Sequence, residues 1–169
     1  FAGGAEVRRE VYSISAGEES SYILGSFSNN AGAQGFPGFQ PSNEVDESRD
    51  NLAAYLDLKY DVTTNLSVEG AGRFENYSDF GSTLDGKLAL SYRIRDLLLR
   101  TSGSTGFRAP SLSQSYYTST ATGRSGAVLY QTGTFRVDHP VSVALGATEL
   151  KPEESQHFTG GFVYQPSSS

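Results

Sequence analysis

The sequence has no cysteine, no methionine and no tryptophan, and its only histidines are His139 and His157. Without cysteine there is neither a disulfide framework nor a thiolate metal site. A site of imidazoles and carboxylates needs convergent ligands. Two separated histidines do not supply them, so no metal and no other cofactor is expected. Basic charge is also short, with 13 Lys and Arg against 19 Asp and Glu and a formal net charge of -6. That excludes a nucleic-acid partner, which needs clustered cations to replace phosphate counterions. No G-x-S-x-G elbow is present, and Gly70-Ala-Gly72 lacks the third glycine of a dinucleotide loop, so the chain is not expected to be an enzyme. No apolar run approaches the roughly 18 residues of a membrane helix, and no secretory leader is visible. Neither absence bears on a membrane protein built of strands. The missing initiator and the pattern already under way at Phe1 suggest a piece of a longer protein.

What the chain does have is glycine, serine, tyrosine and phenylalanine in abundance, with little sustained helical periodicity. The class is therefore all-β. The stretch Leu52 to Arg108 carries the clearest pattern and reads as four strands in two hairpins. In the first, Leu52, Ala54, Leu56, Leu58, Tyr60 and Val62 share one face, and Ala53, Tyr55, Asp57, Lys59 and Asp61 the other. Side chains alternate across a strand, so a period of two gives one oily and one charged face. The second sets Leu66, Val68, Gly70, Gly72 and Phe74 against Ser67, Glu69, Ala71, Arg73 and Glu75. The third sets Leu84, Gly86, Leu88, Leu90, Tyr92 and Ile94 against Asp85, Lys87, Ala89, Ser91 and Arg93. The fourth sets Leu97, Leu99, Thr101, Gly103 and Thr105 against Leu98, Arg100, Ser102 and Ser104. Each run has about 10 residues, the length of a tilted strand across a bilayer, whereas soluble strands average about 5 or 6. A soluble antiparallel sheet also alternates, and periodicity alone leaves both readings open.

Phe1 to Ile14 reads as a further strand, with Glu6, Arg8, Glu10 and Tyr12 on its polar face. Arg9 breaks the oily face and is expected near a membrane interface, where a long basic chain reaches headgroups. Ser15 to Arg49 reads as a long polar connection, and its acidic run Glu44 to Asp50 as a solvated face. Tight turns are expected at Thr63 to Asn65 and at Arg95-Asp96, and a modest loop over Tyr77 to Ser82. Gly106 to Glu149 is a second long connection, and Lys151 to Tyr164 a last strand carrying Phe158 and Phe162 against His157 and Thr159. The connections thus run long, tight, modest, tight, long. An antiparallel meander then has tight turns at one end and longer loops at the other, as outer-membrane barrels do. Within the long loops, Phe36, Phe39, Tyr116, Tyr117 and Tyr130 are the candidates for stacking on a ligand, with packing of the loop on itself as the alternative. Arg108 and Pro110 are expected to mark where a strand leaves the membrane. If Val62 faces Leu66 across the first tight turn, Lys59 lies opposite Glu69 and Tyr55 opposite Arg73. Across Tyr77 to Ser82, either Glu75 faces Lys87 or Arg73 faces Asp85, since opposed like charges are disfavoured.

Three segments resemble a known family. Arg100-Thr-Ser-Gly-Ser-Thr-Gly-Phe-Arg-Ala-Pro-Ser-Leu112 is similar to the R-x-S-x-S-x-G-F-R-A-P-S-L segment of TonB-dependent outer-membrane receptors. Leu150-Lys-Pro-Glu-Glu-Ser155 resembles the L-K-P-E-x-S that leads into a later barrel strand, and Gly72-Arg-Phe-Glu-Asn-Tyr-Ser-Asp-Phe-Gly81 resembles the family's R-x-E-x-Y-S-D-F-G hairpin. The resemblance implies an up-and-down meander of about six strands from a 22-stranded transmembrane barrel, with two long extracellular loops. It implies a bacterial outer-membrane location and active import of a ferric siderophore, haem, cobalamin or oligosaccharide, energised by the TonB complex. The plug domain and the closing strands of such a receptor are missing from this sequence. In a barrel, Leu52, Leu56, Leu58, Val68, Phe74, Leu88, Leu90, Leu97, Leu99 and Phe162 would face outer-membrane lipid. Glu6, Arg8, Glu10, Asp57, Lys59, Glu69, Arg73, Asp85, Lys87 and Arg100 would face the lumen or the plug. A passive porin and a soluble β-rich adhesin or carbohydrate-binding module are the alternatives.

Overall fold

A computed structural model describes residues 1–26, 31–32, 37–126 and 128–166. Among them the alternating runs become strands β1 (Ala2–Ile14), β2 (Val45–Asp61), β3 (Leu66–Tyr77), β4 (Gly81–Ile94) and β5 (Leu97–Arg108). There follow helix α1 (Leu112–Tyr116), strands β6 (Ser119–Ser125) and β7 (Val128–Thr134), helix α2 (Pro140–Ala144) and strand β8 (Glu153–Tyr164). β1 to β5 and β8 form one open sheet in the order β1-β2-β3-β4-β5-β8, and β6 and β7 form a separate hairpin. The pairs β2–β3, β3–β4, β4–β5 and β5–β8 are antiparallel. The chain divides into two compact units, one of Phe1–Arg9, Arg49–Ala109 and Pro152–Ser169, the other of Glu10–Ser48 and Pro110–Lys151.

The registers follow the charges. Lys59 stands opposite Glu69 and Tyr55 opposite Arg73. Of the two arrangements open to the next hairpin, the structure adopts Arg73 opposite Asp85, with Glu75 facing Thr83. On the other side of the sheet, large and small residues face each other: Leu56 with Gly72, then Leu58 with Gly70 and Leu88. A side chain on Gly103 would meet the Phe158 ring at 3.4 Å, so the ring covers the glycine.

Three expectations need correcting. The connection between β3 and β4 is a turn over Ser78, Asp79 and Phe80, because pairing continues to Tyr77 opposite Gly81. One end of the meander therefore carries a tight turn as well as both long connections. The acidic run Glu44 to Asp50 is not simply a solvated face. β2 begins at Val45, and Val45, Arg49, Asn51 and Ala53 are all buried. Burial alternates there although hydropathy does not, which is why the sequence hides the strand. Finally, the connection after β5 contains the β6–β7 hairpin and both short helices. Ser111 caps α1, accepting from Gln114 N at 3.2 Å, while Gln114 Oε1 accepts from Ser111 N at 2.8 Å. This reciprocal cap satisfies donors that the helix leaves unpaired.

The sheet has little interior. Among the described residues the buried apolar side chains are Val45, Ala53, Tyr77 and Leu112, and no large side chain is fully buried. Leu56, Leu88 and Phe74 are 51%, 56% and 44% exposed, in the company of Leu52, Leu58, Leu84, Leu90, Leu99, Phe158 and Phe162. A water-soluble sheet would cover such a surface.

The turn at Arg95 carries backbone strain, with φ at 50°. Asparagine adopts this region more readily than other L residues, and a β-branched residue least. Arg95→Asn is expected to leave the urea midpoint unchanged or raise it. Arg95→Val is expected to cost about 1 kcal/mol or more, on the scale of the left-handed penalty.

Candidate functional site

The charged residues of the alternating runs converge because register keeps them in phase. Glu6 on β1 accepts from Arg73 Nη2 on β3 at 3.1 Å. Arg73 Nε also donates to Glu75, and its guanidinium lies 6.0 Å from the Tyr55 ring centroid. Arg8 Nε lies 3.9 Å from Glu6. Glu75 is the hub, since it also accepts from Tyr77 Oη at 2.6 Å and Asn51 Nδ2 at 2.8 Å. Such charge-assisted bonds are stronger than neutral ones. Further along, Lys87 Nζ lies 2.6 Å from Glu69 Oε1, a diagonal contact between β4 and β3. An open groove of 690 Å³ runs along this part of the polar side, lined among others by Lys59, Glu69, Lys87, Ser91, Arg93 and Arg100.

At the loop end, Arg49 closes the polar side. Its side chain is 6% exposed and lies 3.5 Å from Asp79 Oδ2. The guanidinium sits 5.2 Å from the Tyr77 centroid and 5.7 Å from that of Phe80, within cation–π range. Tyr77 and Phe80 stack at 4.4 Å, and Phe107 lies 5.8 Å and 5.7 Å from them. The three family-like segments meet here. Tyr77 and Phe80 come from one, Phe107 and Arg108 from the second, and Glu153, 3.9 Å from Arg108, from the third.

The expected polar residues lie in β1 to β5 at in-phase positions, with Glu6 in contact with Arg73 and, separately, Glu69 with Lys87. The expected apolar residues share the opposite side by register, Leu99 for example facing both Tyr92 and Phe162. Val68 and Leu97 among them are half-buried. The loop aromatics fall into separate contacts. Phe39 meets Tyr117 edge-on at 6.2 Å. Tyr116 lies 4.8 Å beneath Arg136, which pairs with Asp138 at 2.7 Å. Tyr130 covers Gly123 across the β6–β7 hairpin, where an added Cβ would lie 2.6 Å from the ring. Phe36 lies outside the described residues. His139 accepts from Val141 N at the start of α2 and stacks on Phe135 at 4.4 Å. Among the described residues no three of His, Cys, Asp and Glu converge as metal ligands would.

Sequence reasoning missed Asn51, Arg49, Asp79, Phe80 and Phe107, and passed over Glu75 as one polar residue among many. Glu75 carried a usable signal, lying on the polar phase two residues before Tyr77, on the same face. Arg49 carried none, because it stands in a run without alternation.

The network and the exposed pair differ in worth. Arg73→Ala is expected to lower unfolding stability by about 1–3 kcal/mol, since it strips a largely buried carboxylate of its cation. Lys87→Ala is expected to leave the unfolding midpoint almost unchanged, because the Lys87 and Glu69 side chains are 45% and 30% exposed and water screens the pair. Urea unfolding of the two variants compares them directly.

A family model described as TonB-dependent receptor-like, beta-barrel, matches residues 4–169. No curated protein and no solved structure matches the chain. The family match takes in the open sheet from Gly4 of β1 through β8, and with it the three motif segments at the loop end. On that sequence match and this strand order, the chain belongs to the TonB-dependent receptor-like β-barrel family.

Proposed function

We propose that the chain is part of the wall of an active transporter in the bacterial outer membrane. The observation that carries this reading is an apolar sheet face left exposed opposite a polar face rich in paired charges. In hydrocarbon every backbone group needs an internal partner, and only a closed barrel gives strands that. This open sheet therefore takes its place among further strands, in a barrel of about 22 strands. Leu52, Leu56, Leu58, Val68, Phe74, Leu88, Leu90, Leu97, Leu99 and Phe162 meet lipid. Glu6, Arg8, Glu10, Asp57, Lys59, Glu69, Arg73, Asp85, Lys87 and Arg100 meet the water-filled lumen or a plug domain carried by the rest of the protein. Tyr60, Tyr92 and Tyr164, exposed at the tight-turn end of the apolar side, suit the aromatic girdle at a membrane–water boundary.

The cargo is a scarce nutrient of the kind such receptors take up: a ferric siderophore, haem, cobalamin or an oligosaccharide. Phe39, Tyr116, Tyr117 and Tyr130, with Phe36, are the aromatic surfaces in the long connections that suit a sugar ring or an aromatic chelate. Energy comes from the TonB complex, through the plug.

Two measurements test the reading in the whole protein. A cation at mid-depth on the lipid side costs roughly 2–4 kcal/mol, whereas its neighbour on the lumen side is free to change. Leu56→Arg is expected to abolish the heat-modifiable folded form in outer membranes, and Asp57→Asn to leave it intact. Equal assembly of the two variants would contradict the lipid-facing assignment. In the second, cargo uptake is expected to stop when TonB is deleted, whereas unchanged uptake would indicate a passive channel.

A further inference from the structure

β4 and β5 separate before either strand ends. Their ladder runs from Ile94 opposite Leu97 to Lys87 opposite Ser104 and stops. Yet β4 extends to Gly81 and β5 to Arg108. Neither strand frays beyond the stop. Gly81–Gly86 remain paired with β3, up to Gly81 opposite Tyr77. Thr105–Arg108 remain paired with β8, up to Arg108 opposite Glu153. In the other registered pairs the ladder reaches the end of at least one strand. Here both strands run on, each held by its outer neighbour, and a fork opens between them. At its base Gly86 N donates to Thr105 Oγ1 at 3.0 Å, so a side-chain hydroxyl accepts the backbone hydrogen bond beside the last ladder pair. Above it lies an open notch of 630 Å³ lined in part by Leu84, Asp85, Thr105, Phe107 and Gln156.

Phe107 shows which way β5 has turned. Alternation puts it in phase with Leu99 and Gly103, on the apolar side. Its ring nevertheless packs 5.8 Å from Tyr77, whose hydroxyl donates to Glu75 on the polar side. The end of β5 has therefore swung so that its apolar phase rests on the polar side of β3.

The interrupted register has a sound continuation. Extended by the same offset, it sets Gly86 against Thr105, Asp85 against Gly106, Leu84 against Phe107 and Thr83 against Arg108. Leu84, 77% exposed in the fork and already opposite Phe74 on β3, gains a second aromatic neighbour on the apolar side. Asp85 and Arg108 become diagonal neighbours on the polar side, where Arg108 now has Glu153 at 3.9 Å with both side chains mostly exposed. Opposite charges and apolar pairs both favour such cross-strand neighbours.

We propose that the β4–β5 seam is a two-state element. In the open state, Phe107 is latched into the Tyr77–Phe80 cluster and residues 105–108 stand off β4. In the closed state, residues 105–108 zip onto 83–86 and Phe107 moves to the apolar side beside Leu84. The backbone groups lining the fork need water or headgroups as partners, so hydrocarbon around the seam drives it shut and water holds it open. That last coupling rests on the barrel-wall reading, whereas the two states rest on the register and the aromatic cluster alone.

The chain has no cysteine, so paired cysteines report without interference. Thr83→Cys with Arg108→Cys places thiols opposite each other only in the closed register, at a separation a disulfide spans. The experiment uses the whole protein in isolated outer membranes under mild oxidation. Ser91→Cys with Arg100→Cys, opposed in the existing ladder, serves as the folded control. Partial cross-linking of the 83/108 pair is expected, rising several-fold when Phe80→Ala removes the latch. Phe80→Leu replaces that variant if the alanine form fails the control. No cross-link in either background, with the control pair fully joined, would overturn the proposal by showing a fixed fork. Complete cross-linking in both would overturn it by showing that the fork is not populated. A partial yield unmoved by Phe80 would overturn the role of the aromatic latch.

Discussion

Strand-to-strand hydrogen bonding in a single register is the constraint on which the rest of the structure depends. Each backbone donor and acceptor in a sheet needs a neighbour, and the pairing that supplies it also fixes which side chains share a face. A slip of one residue would send every leucine of β2 to the charged side. Lys59 opposite Glu69 and Arg73 opposite Asp85 mark the phase that avoids this. Charges opposed across strands in this way contribute little to stability where they are exposed. Their value lies in discriminating against the registers that would oppose like charges, as Glu75 facing Asp85 would.

Sorting by phase leaves the two sides in different conditions. The polar side is cross-braced: Glu75 collects bonds from Arg73, Tyr77 and Asn51, and Arg73 reaches on to Glu6 two strands away. The apolar side is knobs and gaps, with glycines facing leucines and Phe158 lying over Gly103. A surface of that kind is unstable in water and stable in hydrocarbon, so the exposure of Leu56, Leu88 and Phe74 belongs with the family to which the chain is assigned. Among the strand pairs from β2 to β8 in the open sheet, regular pairing gives way at the fork at the loop end, beside Arg49 and the aromatic rings.

The strands of the open sheet were legible because their chemistry alternates over long runs, and so were the cross-strand partners of Lys59 and Arg73. Legibility stopped where burial and hydropathy part company. The start of β2, with Asp46, Glu47 and Asp50 beside buried Val45 and Arg49, reads as a loop by composition and is a strand by pairing. The turn at Ser78–Phe80 read as longer than it is, because its polar residues hid how far β3 and β4 stay paired. The β6–β7 hairpin and the short helices rest on local devices, a glycine at φ 61° and a Ser111–Gln114 cap, that leave almost no periodic trace. The polar face of the candidate site was visible residue by residue. Its hub and its Arg49 rim were not, because they depend on side chains meeting across strands far apart in sequence.

The most direct measurement places single cysteines at neighbouring positions of opposite phase, 56 and 57 on β2 and 87 and 88 on β4, in the whole protein in its membrane. Each is tested with a charged, membrane-impermeant maleimide and with a fluorophore quenched by brominated lipid. Positions 57 and 87 are expected to react with the maleimide and to resist lipid quenching, while 56 and 88 do the reverse. Equal behaviour of neighbours, or quenching at 57 and 87, would contradict the assignment of one face to lipid and the other to water.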